Sequence, residues 1–162
     1  MDPNLTREQL AALIEDEAGA LADLERLLER EHDILVRNES PEALEQACSA
    51  RQERIGDLLR IQDERRSLLR MLGLGTDNAA LDALLRACDP ADGLRRRWQH
   101  CAGAARRCRE LNDRNGALVQ ARMKRVAGLL EVLTGERAGP GVYGPQGALT
   151  SAPTSRLVAA EA

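Results

Sequence analysis

The chain has 162 residues, 43% apolar, 30% charged and 1% aromatic, with no Phe, one Trp (Trp98), one Tyr (Tyr143) and a formal net charge of -3. Small sandwiches and barrels fill a pleated surface with aromatic and β-branched side chains, so a chain built from Leu, Ala, Arg and Glu reads as all-α, with one folded domain at this length. No apolar run approaches the roughly 18 residues of a membrane span, and Met1-Asp2-Pro3-Asn4 lacks the regions of a signal peptide, so a cytoplasmic protein with no membrane insertion is expected.

Thr6-Arg7-Glu8-Gln9 fits a capping box and predicts a helix starting there. Leu10, Leu13, Leu21, Leu24, Leu28 and Leu35 then form one stripe to about Arg37, interrupted by Glu17 and Glu31. Ser40-Pro41 supplies the next start, with Ser as N-cap and Pro at the first helical position. Its stripe is Leu44, Ala47, Cys48, Ile55, Leu58, Leu59, Gln62, Leu69 and Leu72, stopped by Gly73 and Gly75. A short helix fits between Thr76 and Pro90, with Leu81, Leu84, Leu85 and Cys88 on its apolar face, and Asp89-Pro90 ends it.

The third long stripe steps by four and three throughout: Leu94, Trp98, Cys101, Ala105, Cys108, Asn112, Asn115, Val119, Arg122, Val126, Leu129 and Leu133. It is a heptad seam, implying left-handed coiled-coil-like packing, and Thr134-Gly135 closes it. The expected architecture is an elongated up-and-down antiparallel helical bundle of three long helices plus one short one, residues 1–133. Glycines and prolines from Gly135 to Pro153 make residues 134–162 read as a flexible C-terminal tail. Helices of 32, 33 and 42 residues leave about 14 Å of the last one without a full set of neighbours. That end carries Val126, Leu129, Leu130, Val132 and Leu133, an apolar density that marks a partner surface for a cargo helix, a second copy or the tail.

No nucleophile-base pair, phosphate loop or metal-ligand spacing is present, so neither catalysis nor a metal or cofactor is expected. Cys48, Cys101 and Cys108 sit at apolar helical positions as small hydrophobes, and His32 and His100 read as solvated helical residues. Residues 1–91 hold 11 basic and 20 acidic side chains, residues 92–133 hold 10 and 4. The arginines of 95–97 and 106–109 cannot form one phosphate-facing row, since three successive helical residues span about 200°, and nucleic acid is not an expected partner. Asn112 and Asn115 occupy seam positions where Leu would be more stabilising, which reads as a register device, with Arg122 facing a carboxylate such as Glu17 or Glu31. Tyr143, between glycines, is either a short docking motif or an exposed turn.

Arg109-Glu110-Leu111-Asn112-Asp113-Arg114-Asn115-Gly116, then Leu130-Glu131-Val132-Leu133, a Gly/Pro spacer and Tyr143-Gly144-Pro145-Gln146-Gly147 resemble the C-terminal signature of the FlgN family of flagellar type III export chaperones. The resemblance implies a small acidic helical protein, a monomer or weak homodimer. It would bind C-terminal segments of the hook-filament junction proteins FlgK and FlgL, keep them unpolymerised and bring them to the export gate. It also implies cargo binding by the last helix and the tail, on the helix here Val126, Leu129, Leu130 and Leu133, and docking to the gate protein FlhA through Tyr143, Gly144 and Gly147. The rival reading from the seams alone is a coiled-coil scaffold or tether that self-associates, which a sizing experiment with added cargo separates.

Overall fold

In a computed structural model, which describes residues 3–135, the chain forms α1 (Pro3–Arg37), α2 (Pro41–Met71), α3 (Asn78–Cys88) and α4 (Gly93–Thr134). No strand occurs among the described residues. The tail expected at 134–162 lies outside them apart from Thr134 and Gly135. The chain divides into two compact units, Met1–Ala121 and Arg122–Ala162, and the packing that follows is that of the first.

Local chemistry accounts for the helix ends. The capping box at Thr6 does not open α1. The helix already begins at Pro3, a residue type suited to a first turn, and Thr6 is buried inside it. Asn38 at φ 56° ends α1 in the left-handed conformation, and Glu39 N–H reaches the Ile34 carbonyl at 3.1 Å, a Schellman closure. Ser40 caps α2 by accepting from the Ala43 N–H at 3.2 Å. Gly73, at φ 71°, closes that helix, with Leu74 N–H donating to the Leu69 carbonyl at 3.0 Å. Asp77 caps α3 at 2.8 Å from the Ala80 N–H. Asp89 then reaches forward to the Leu94 N–H at 2.8 Å, so the residue that ends α3 also satisfies the first turn of α4.

The long helices alternate in direction as expected. Glu17 pairs with Arg65 and Glu31 with Arg51, an order that runs α2 antiparallel to α1. Cys101 and Cys108 place Sγ 3.7 Å from the carbonyls of Ile14 and Leu21, and Asn115 Nδ2 donates to that of Leu28 at 2.9 Å, so α4 runs parallel to α1. These three small residues recur every heptad and let the two backbones approach. Burial pushes the Cys101 thiol up to about 11, and raises that of Cys108 as well, so both remain protonated donors.

The core gathers Leu10, Ile14, Leu21, Leu24 and Leu28 of α1 with Leu68 and Leu69, with Leu81 and Leu85 of α3, and with Leu94, Cys101, Ala104 and Cys108. Most of the two expected faces points inward, with Ala47 and Leu69 of α2 and Leu94, Cys101, Cys108 and Asn115 of α4 buried, and a few positions differ. On α2, Ile55 and Leu59 are 39% and 57% exposed, whereas Ile61, Arg65 and Leu68 are buried. One further inward row is the heptad Ala47, Arg54, Ile61, Leu68. Arg54 disguises it in the sequence: its guanidinium pairs with Asp23 and Asp57, while its Nε is buried. On α4, Ala104 is buried and Leu111 half-buried, while Ala105 and Asn112 are exposed.

Truncating Leu85, which is fully buried, should cost about 2–5 kcal/mol in urea unfolding, and truncating Leu59 under about 1 kcal/mol. Equal losses would mean that α2 presents its other face. The Asp89 carboxyl is held below its usual range, first by the Leu94 N–H and then by nearby Arg7. Its folded value is thus the lower one, so its stabilisation is present above the usual carboxylate range and fades as pH falls through it. Asp89→Asn should therefore flatten the acid limb of stability against pH, which unfolding at a series of pH values would read.

Candidate functional site

Two groups of residues singled out in the sequence lie in α4, and they have different surroundings. In the first unit, Asn115 is 1% exposed. Its Nδ2 is committed to the Leu28 carbonyl, so its Oδ1 accepts from His32 Nδ1, 3.0 Å away. His32 is thereby half-buried and partnered, in contrast to the solvated role expected for it. Asn112 Oδ1 accepts from Arg51 Nη1 at 3.2 Å, and the same nitrogen donates to Glu31 Oε1 at 3.1 Å. One polar layer thus joins α1, α2 and α4 through Glu31, Arg51 and Asn112.

A second layer lies two heptads away on every helix. Glu17 pairs with Arg65, and the Arg65 guanidinium sits 4.4 Å from the centre of the Trp98 ring. Burial raises the Glu17 carboxyl while Arg65 opposes the shift. The carboxylates Glu17 and Glu31 therefore face arginines of α2, and Arg122 is not the cation that either engages. The signal for this was in the spacing. Arg51 and Arg65 are separated by the same two heptads as Glu31 and Glu17, in reverse order, as an antiparallel pair requires. These layers position helices; they present no group to a ligand.

The second unit, described as far as Gly135, carries the other group. Val126, Leu129, Leu130 and Leu133 are 52%, 58%, 54% and 80% exposed. Spaced i, i+3, i+4 and i+7, they share one face of α4. Met123 adjoins it, and Val132, also exposed, projects from a neighbouring side of the helix. The helix continues to Thr134 because Leu, Val, Ala and Glu supply propensity, and it closes with Gly135 at φ 68°, whose N–H reaches the Glu131 carbonyl at 3.0 Å. Burying the exposed half of Leu129 or Leu130 against an apolar surface would gain about 1 kcal/mol each, so contact of this face with such a surface is favourable. Arg122 and Arg125 adjoin the face. Tyr143, Gly144 and Gly147 lie outside the described residues. Among the described residues no cluster of His, Cys, Asp or Glu could hold a metal ion, and no helix is long and apolar enough to cross a membrane.

A family model, FlgN (FlgN protein), matches residues 1–151. No curated protein and no solved structure matches the chain.

The polar layer yields a measurable asymmetry. Glu31 is 3% exposed and its Oε2 has no hydrogen-bond partner among the described residues, so it depends on Arg51 for charge compensation. Arg51→Ala should cost about 3 kcal/mol, the low end for a broken buried pair because Arg51 is itself a quarter exposed. Replacing both Glu31 and Arg51 by Leu should recover most of that. A double variant as unstable as the single one would show that the pair does not account for the loss.

Proposed function

The chain belongs to the FlgN family, whose members are flagellar export chaperones, and from that premise we propose that it serves the hook-filament junction proteins. On this reading it binds C-terminal helical segments of FlgK and FlgL in the cytoplasm, keeps them unpolymerised and delivers them to FlhA at the export gate. The observation that supports it is the apolar face of Val126, Leu129, Leu130 and Leu133, left half-exposed or more at the end of a 42-residue helix. Segments that polymerise through amphipathic helices expose an apolar stripe until they assemble, and a helix face with apolar residues at i, i+3, i+4 and i+7 offers that stripe a temporary partner.

The roles divide along the chain. Residues 1–133 form the bundle that presents the cargo face, and residues 134–162 form a tail whose Tyr143, with Gly144 and Gly147 beside it, docks at the gate. A single aromatic anchor between glycines suits a contact that must form and release in each delivery cycle. Asn112 and Asn115 hold register and take no part in either contact. Coexpression with FlgK or FlgL, followed by the mass of the purified complex, tests the assignment. A stoichiometric complex is expected, and a large homo-oligomer that ignores cargo would instead make the chain a scaffold.

Two substitutions separate the roles. Leu129→Asp with Leu130→Asp should abolish cargo binding with little change in melting temperature, because residues already more than half exposed lose little transfer energy. Unfolding, or unchanged affinity, would move the cargo site elsewhere. Tyr143→Ala should leave melting temperature and cargo binding intact while lowering secretion of the junction proteins. A drop of several degrees would mean that the ring packs in the fold.

A further inference from the structure

A groove of about 820 Å³ runs between α1 and α2, with Leu13 and Leu68 at its base and Ala12 and Met71 on its more exposed apolar lining. Its rim carries Asp16, Asp63 and Glu64. Asp16 and Glu64 make no ion pair among the described residues, and Asp63 has only a 3.8 Å contact to exposed Arg66. Arg60, the one cation of the lining, is turned to Asp57 at 3.0 Å. The groove is therefore apolar at its base and acidic at its edge, and its occupant should be an apolar helix face with a basic border.

The end of α4 has that chemistry. Its exposed face, residues 126–133, rises about 10 Å along the helix, the same rise as the α1 wall of the groove, residues 9–16. Arg122 and Arg125 border it, while Lys124 and the acid Glu131 lie on the opposite side of the helix. We propose that this end of α4 docks in the α1–α2 groove of a second copy of the chain. The contact is heterologous, with one copy giving the helix face and the other the groove. It uses the face assigned above to cargo but does not depend on that assignment. If both hold, self-docking shields the face until cargo displaces the second copy.

Two full-length variants test this. One reverses the rim, Asp16→Arg, Asp63→Arg and Glu64→Arg, and the other reverses the border, Arg122→Glu and Arg125→Glu. All five side chains are exposed or half-buried, and unchanged circular dichroism and melting temperature confirm folding. Sedimentation velocity on the wild type should show association that grows with concentration and weakens with salt. Each variant alone should associate at least about tenfold more weakly, because like charges then face each other. An equimolar mixture of the two should regain association, since each groove again meets a border of opposite sign. A wild type that stays monomeric, a reversal without effect, or a mixture that fails to associate would overturn the proposal. Binding of FlgK to the rim variant is read separately. Retained binding leaves the groove to the second copy, and lost binding together with a mixture that fails to associate assigns the groove to cargo and overturns self-docking. If FlgK does not bind the wild type either, while the mixture associates, the cargo reading fails and self-docking stands.

Discussion

Two carboxylates withdrawn from water on α1 constrain everything else in the bundle. An ion taken into a protein interior loses several kcal/mol of hydration, and only a cation at the same level offsets the loss. Glu17 has Arg65 and Glu31 has Arg51. The penalty also removes the alternatives. Sliding α2 by one heptad in either direction would set Leu58 and Leu44, or Leu72 and Leu58, opposite the two carboxylates. An apolar seam alone tolerates such a slip, because leucine facing leucine is much the same at every heptad. The charged layers make the pairing unique, as a polar residue does at an interior coiled-coil position.

Once α2 is fixed, α4 has a defined place against both helices. Asn112 completes the Glu31–Arg51 layer and Trp98 covers Arg65 in the other. Between these levels the seam facing α1 is built from small residues, Cys101, Ala104 and Cys108, so that the thiols come within reach of helix carbonyls. α3 closes the end where Leu10 and Ile14 would otherwise meet solvent, using Leu81 and Leu85, and ties itself to α4 through Asp82 and Arg95 at 2.8 Å. The acidic and basic segments read in the sequence meet here as individual pairs, Arg97 with Glu15 and Arg107 with Glu25. Arg107 holds the Glu25 carboxyl below its usual range, and a carboxylate this exposed adds little to stability.

Helix number, helix ends and the heptad series of α4 were legible because they rest on local rules: Ser40-Pro41 starts a helix, Gly73 stops one, and leucine spacing gives the face. Three features were not. The α2 row Ala47, Arg54, Ile61, Leu68 was missed because Arg54 interrupts its apolar pattern, although its guanidinium is paired with Asp23 and Asp57. His32 was read as solvated because its partner is on α4, far along the chain, where local pattern has no access. The start of α1 was set too late because a capping box is a statement about four residues, and it does not exclude an earlier turn. Of the candidate site, the apolar end of α4 was visible as composition in a place where a helix end is normally polar. The acidic groove was not, since its two walls come from different helices.

The single indole has an optical consequence. With no Phe, and with Tyr143 as the only other aromatic residue, fluorescence excited at the red edge comes from Trp98 alone. That ring lies under Arg65, so the emission observes the Glu17 layer and the end of the bundle that α3 covers. The Glu31 layer emits nothing. An emission melt therefore follows one end of the molecule and a calorimetric melt follows all of it, and the two coincide only where the ends of the bundle come apart together.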